Sequence, residues 1–184
     1  MPESKDTSTT LTVWHYDSAM GAAAGEIRLK DLQQQGGLVV VDAVTVTWVP
    51  GADSPHIGHL LRQGPAAVAK GSALGVLVGT LFLAPVVGAV AGGGVAGLAH
   101  RLRRSGLDRE FLEEVKADIT PGTSALVVLS QEADLDKVRE FVERGLARGD
   151  VRLRVARLRA DAPDELAALV KSAENREPGI ARSG

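Results

Sequence analysis

The chain reads as an α+β protein: a ferredoxin-like sandwich, with helices on one face of a mostly antiparallel sheet, interrupted by a glycine-rich helical hairpin. Three observations predict this. Runs of strand and helix period follow one another as β-α-β-β and then α-β-α-β. Between these halves, residues 71–99 hold eight glycines and no charged side chain. The 184 residues, 45% of them hydrophobic, are enough for one domain with a buried core. A small doubly wound α/β sheet is the alternative fold.

Residues 1–10 (MPESKDTSTT) are polar and lack the basic start and apolar run of a secretory signal. They are expected to form a flexible arm, with the soluble parts of the chain in the cytoplasm. Residues 11–16 (LTVWHY) are β-branched and aromatic and predict the first strand. Asp17 and Ser18 offer side-chain oxygens to the start of a helix over residues 19–35, which Gly36-Gly37 stops. Gly21 and Gly25 either weaken that helix or allow close packing on it. Residues 38–49 (LVVVDAVTVTWV) carry the strongest strand signal, with Val44, Val46 and Trp48 on one face. Pro50-Gly51 and Asp53-Ser54-Pro55 then turn the chain into a short returning strand over residues 56–62.

In the second half, Leu107, Phe111, Leu112, Val115 and Ile119 recur at helical spacing. Asp108 and Glu110 stand near the start of this helix, where its dipole favours acids. Pro121-Gly122 ends it. Residues 124–130 (SALVVLS) form an unbroken apolar run, expected to be a strand buried on both faces. Residues 135–146 form an amphipathic helix with Leu135, Val138, Phe141 and Val142 on one side. Gly149-Asp150 turns into residues 151–158 (VRLRVARL), a half-exposed strand with an arginine face. Residues 164–173 suit a short helix. The body therefore spans 11–160, interrupted by an apolar hairpin at 65–104, and 161–184 form a short helix and a polar tail.

The insertion carries most of the functional information. Gly71, Gly75 and Gly79 are four residues apart, and so are Gly88 and Gly92; Gly93 and Gly97 repeat the step. Such spacing lines up small residues on one helix face, where another backbone can approach closely. The apolar run of 29 residues exceeds the 18 or so of a single membrane span. Yet if both flanks complete one sheet, both ends lie on the same side of any membrane. A hairpin turning near Pro85 satisfies this, and its arms of about 21 Å fall short of a hydrocarbon core of about 30 Å. Between Ser54 and Leu107 there is no Asp or Glu, while Arg62, Lys70, Arg101, Arg103 and Arg104 supply a charge of +5 in a chain of net −2. Such a collar suits anionic headgroups. The plainer alternative is that these cations end and solubilise a buried helix.

Other motifs are weaker. Gly92-Gly93-Gly94-Val95-Ala96-Gly97 matches G-x-G-x-x-G, but no strand precedes it, and the acids about 20 residues on lie in a helix pattern. His56-x-x-His59 offers two imidazoles without a clear third metal ligand. His15, two residues before Asp17 on the first strand, reads as a hydrogen-bonded structural histidine. His100 belongs with the basic collar. Arg152, Arg154, Arg157 and Arg159 form a basic ladder, either a solvated strand face or a site for phosphate or a partner's acids. With no Cys there is neither a thiol nucleophile nor a thiolate metal site, and the near-neutral balance argues against nucleic acid.

Gly106-Leu107-Asp108-Arg109-Glu110-Phe111 after a glycine-rich insertion, Pro121-Gly122-Thr123-Ser124-Ala125-Leu126, and Asp42-Ala43-Val44 on the second strand resemble the DUF1269 family over roughly residues 11–160. The segment between Trp48 and Arg62 departs from that pattern. The resemblance implies a bacterial, cytoplasmic or membrane-associated protein, and brings no catalytic residues with it. The expectation is a non-enzymatic homo-oligomer with no cofactor or metal, at the inner face of the cell membrane. Gly71, Gly75, Gly79, Gly88, Gly92 and Gly97 would pack between subunits, and Lys70, Arg101, Arg103 and Arg104 would meet lipid headgroups. The alternative is a soluble self-assembling scaffold or cargo protein with the hairpins buried inside the assembly. A small-ligand sensor or enzyme using the sheet face and His15 is a third reading.

Overall fold

The computed structural model describes residues 9–60, 74–75, 77–79, 81–82, 104–131, 138, 143 and 151–159. Within them the order is β1 (Thr9–Tyr16), α1 (Gly21–Gln34), β2 (Val39–Thr47), β3 (His56–His59), α2 (Arg109–Asp118), β4 (Ser124–Gln131) and β5 (Val151–Leu158). The strands form one five-stranded sheet in the order β3-β2-β4-β1-β5, and every neighbouring pair is antiparallel. This is an α+β architecture. β1 begins at Thr9, two residues before the expected start, while β5 has the predicted bounds. Val138 and Glu143 are helical, as the pattern over 135–146 requires. The terminal arm before Thr9, the turn at Pro85 and the helix over 164–173 lie outside the described residues.

The helices do not share one face of the sheet. α1 supplies Ala22, Leu29 and Leu32 to a core with Trp14, Tyr16, Ala43, Leu126, Val128 and Val151. On the opposite face α2 supplies Val115, and Leu74, Leu77 and Val78 of the insertion join it over Leu11, Val13, Val44, Val46, Val127 and Leu129. The reason lies in β4. Its alternate side chains Ala125, Val127 and Leu129 point one way, and Leu126 and Val128 the other, so an apolar strand at the centre of the sheet needs a cover on each side.

Local chemistry sets the ends of the elements. α1 closes on a Schellman turn: Gly36, at φ +66°, donates to Gln33 O, and Gly37 donates to Leu32 O, both at 2.9 Å. Its start is capped from outside, because Ser124 Oγ of β4 accepts from Ala22 N at 2.9 Å and donates to Ser18 O at 2.6 Å. Asp108 caps α2 directly, its Oδ1 accepting from Phe111 N at 2.7 Å. Gly21 and Gly25 are places of close approach. A Cβ on Gly21 would overlap the Tyr16 side chain, and one on Gly25 would overlap the Tyr16 hydroxyl.

Candidate functional site

Two regions hold the side chains that the sequence points to. The first is where the insertion meets the sheet. Residues 74–75, 77–79 and 81–82 are helical. Leu74 N donates to Asp42 Oδ2 of β2 at 2.9 Å. A carboxylate of the sheet thus holds a backbone N–H of the arm. From Asp42 this arm follows β2. Gly79 passes β3, where a Cβ would lie 4.0 Å from Ile57 Cδ1. Phe82 then meets Trp48 edge to face, with ring centroids 6.4 Å apart. Leu74 is fully buried, and Leu77 and Val78 are each 3% exposed.

The insertion returns to the sheet beside β5. Ser105 O accepts from Arg159 N at 3.1 Å, and Gly106 follows at φ +94°. Asp42 stands opposite Leu129, Leu129 opposite Leu11, and Leu11 opposite Ala156, so Asp42 and the end of β5 lie at the same end of the sheet. They are separated by three strand spacings, about 14 Å. Phe82, beside Trp48, and Ser105, beside Arg159, therefore stand at opposite ends of the sheet.

Of the residues assigned to close packing, Gly75 and Gly79 are half-buried on the docked arm. Of those assigned to headgroups, Arg104 is exposed. Gly71, Gly88, Gly92, Gly97, Lys70, Arg101 and Arg103 lie outside the described residues. Among the described residues, no helix is long and apolar enough to cross a membrane.

The second region is a charged cluster where the start of β5 lies beside the end of β1, under α2. His15 and Arg152 are cross-strand partners. Arg152 Nη2 lies 3.0 Å from His15 Nδ1 and donates to Asp17 Oδ1 at 3.0 Å, while its Nη1 is 3.8 Å from Asp118 Oδ1. Arg154 grips α2 at two points, through Nε to Asp118 Oδ2 at 2.5 Å and Nη1 to Glu114 Oε2 at 2.6 Å. Glu114 and Asp118, one helical turn apart, thus clamp α2 to the edge strand. Arg154 holds the Asp118 carboxyl below the usual carboxylate range, mainly through its hydrogen bond and against the effect of burial. Burial, with Arg152 beside it, pushes His15 below the ordinary histidine value, and the charges of Asp118 and Asp17 oppose this only in part. His15 Nε2 is buried and has no hydrogen-bond partner among the described residues.

The sequence couples His15 with Asp17 but joins neither to the arginine ladder; in the structure His15 Nδ1 is 3.6 Å from Asp17 Oδ1 and takes its hydrogen bond from Arg152. The sequence assigns no role to Glu114 and Asp118. Their i, i+4 spacing was the available signal; their partners on β5 are far away in the chain. His56 and His59 do not converge. They lie on opposite faces of β3, across from Thr47 and Val44. Among the described residues no group of three or more His, Asp or Glu side chains is placed to hold a metal ion.

Residues 68–169 match the model of a family described as a protein of unknown function, DUF1269. No curated protein and no solved structure matches the chain.

Proposed function

This chain belongs to the DUF1269 family of proteins of unknown function, and we propose that it is a non-enzymatic, self-associating protein held at the cytoplasmic face of a membrane by its glycine-rich insertion. One observation carries the reading: the inner arm of the insertion docks on the sheet from Asp42 to Trp48, and the chain rejoins the sheet at Arg159, while its uncharged run continues for 17 residues past Phe82. The inner arm is spent on the chain's own core. The outer run, residues 83–99, contains Gly88, Gly92 and Gly97 and is free of charge. As helix it would span at most about 26 Å, short of a bilayer core of about 30 Å, so it enters one leaflet or packs on other copies rather than crossing. The five cations and no acids between Ser54 and Leu107 favour an anionic surface.

The body supporting this insertion is, in our reading, ferredoxin-like. β2, β4, β1 and β5 lie side by side, with β1 and β2 parallel on either side of β4 and joined through α1. That is the split β-α-β arrangement. Val138 of the helical pattern before β5 packs with the α1 core, as the second helix of such a unit would. The insertion then covers the face that α1 leaves open.

A soluble assembly with the insertions buried inside it is the second reading. It is favoured by Leu74, Leu77 and Val78, whose apolar surface is covered by protein rather than lipid. Flotation of the full chain with vesicles, without detergent and with light scattering on the unbound fraction, separates the readings. Co-flotation with anionic vesicles supports the membrane reading. A large species that stays in solution supports the scaffold, and a soluble monomer contradicts both.

A further inference from the structure

The two edge strands of the sheet differ. β3 is four residues long and contains Gly58, so it presents little backbone to a further strand. β5 runs for eight residues without Gly or Pro, and its register with β1 is unbroken from Val151 to Leu158. It is a regular ladder on one side and, among the described residues, carries no further strand on the other. The insertion meets it at its end, where Arg159 N donates to Ser105 O at 3.1 Å. Charge commonly guards such an edge, but the cations on the α2 face of β5 are already matched. Arg152 pairs with Asp17 and Asp118, and Arg154 with Asp118 and Glu114. On the α1 face, where Val151 and Leu153 join the core, Val155 is 52% exposed at the middle of the strand.

We infer that the outer edge of β5 pairs antiparallel with β5 of a second copy, with Val155 on the two-fold axis, so that two five-stranded sheets become one continuous sheet. The inference rests on the self-association reading above and adds to it a contact made by the folded sheet, not by the insertion. Two identical outer edges meet about an axis perpendicular to the sheet, so opposing residues have the same parity and one residue faces its own copy. The sequence of the strand selects which one. With Val155 on the axis, Arg154 faces Ala156 of the second copy, Leu153 faces Arg157 and Arg152 faces Leu158. Residues 152–158 then pair, and no arginine stands directly opposite another. With Arg154 on the axis, two guanidinium groups oppose each other; with Leu153 there, Arg152 opposes Arg154. With Ala156 there, the ladder shrinks to residues 154–158. Like charges directly opposite destabilise a strand pair, whereas two β-branched side chains support it. This strand is therefore complementary to itself, which favours a second copy over an unrelated strand as its partner. Main-chain hydrogen bonds along the edge supply the attraction.

The chain has no Cys, so single cysteines in the full chain report the register directly. A residue on the axis meets its own copy at a Cα separation of about 4.5–5.5 Å, within disulfide range. The two copies of residue 157 stand four residues apart along the strands, about 14 Å, which is beyond it. Mild oxidation in dilute solution should therefore cross-link V155C into dimers at least about tenfold faster than R157C. Both positions are exposed, so both variants should keep the melting temperature of the wild type. V155K should lower the mass measured by light scattering, and mixing it with V155E should restore the mass, because Lys then faces Glu across the axis. V155C, close to valine in size, keeps the test decisive if V155K fails to fold. Equal cross-linking of V155C and R157C, or a V155K–V155E mixture no larger than V155K alone, overturns the edge contact and leaves self-association through the insertion standing. A wild type that stays monomeric overturns both.

Discussion

Arg152 Nη2 lies 3.0 Å from His15 Nδ1, and this contact sets the tautomer of the imidazole. A guanidinium can only donate, so Nδ1 accepts and the proton of the neutral ring sits on Nε2. A second proton on Nδ1 would set two cations against each other inside the sheet. Burial acts in the same direction, and the folded protein holds His15 below its ordinary value of 6.5. The unfolded chain therefore takes up a proton that the folded chain refuses. Stability from this residue is complete above about pH 6.5 and falls as the pH drops from there toward the lower, folded value. Thermal melts between pH 8 and pH 5 should show this decline in the wild type and a flatter profile in His15→Leu. Equal slopes would count against it.

Arg154 joins α2 to β5 through Asp118 and Glu114. The Arg154→Ala variant leaves the mostly buried Asp118 carboxylate without its main partner. Because Arg154 is itself partly exposed, the loss should be modest, about 1–2 kcal/mol in denaturant titration. Asp118 is held below 3.8, so its contribution is present above that pH and lost as the pH falls through the folded value. Asp118→Asn should weaken the acid sensitivity below pH 4 relative to wild type.

Asp42 Oδ2 accepts from Leu74 N, tying the inner arm to β2. Asp42→Ala should cost about 1–2 kcal/mol, as loss of a hydrogen bond to a carboxylate does, and raise hydrogen exchange in residues 74–82 before any other segment. Leu74 is fully buried, and Leu74→Ala should cost about 2–5 kcal/mol. Removing residues 65–104 altogether should not leave a soluble sheet, because it uncovers Leu11, Val13, Val44, Val46, Val127 and Leu129.

Gly25 lies against the Tyr16 hydroxyl, and Gly25→Ala should destabilise by about 1–3 kcal/mol although alanine is the better helix former. By contrast Gly92→Leu should leave the melting temperature of the body unchanged and reduce the size of the assembly in light scattering. An unchanged size would remove that glycine from the self-association contact.

Local patterns carried much of this fold. The alternation in β2, the Gly36-Gly37 stop and the Asp108 cap depend on neighbours within a few residues, and each is readable from the chain. The unbroken apolar run of β4 announced burial on both faces, and α1 and α2 with the inner arm provide it. What covers the second face was not readable, because glycine spacing shows only that something packs closely, not whether the neighbour is another copy, lipid or the chain's own sheet. For Leu74, Leu77 and Val78 it is the sheet. The cap of α1 was out of reach for the same reason. Asp17 and Ser18 looked suitable, but Asp17 pairs with Arg152, and the oxygen on Ala22 N comes from Ser124. The clamp of Arg154 on Glu114 and Asp118 likewise joins residues that only the folded topology brings together.

In the membrane reading the insertion divides its labour: residues up to Phe82 belong to the body, and residues 83–99 face the bilayer. Hydrogen–deuterium exchange of the full chain with and without anionic vesicles tests it most directly. The account predicts that residues 74–82 are equally protected in both conditions and that residues 83–99 gain protection when vesicles are added. If 74–82 changes with the vesicles, or 83–99 does not, the division is wrong.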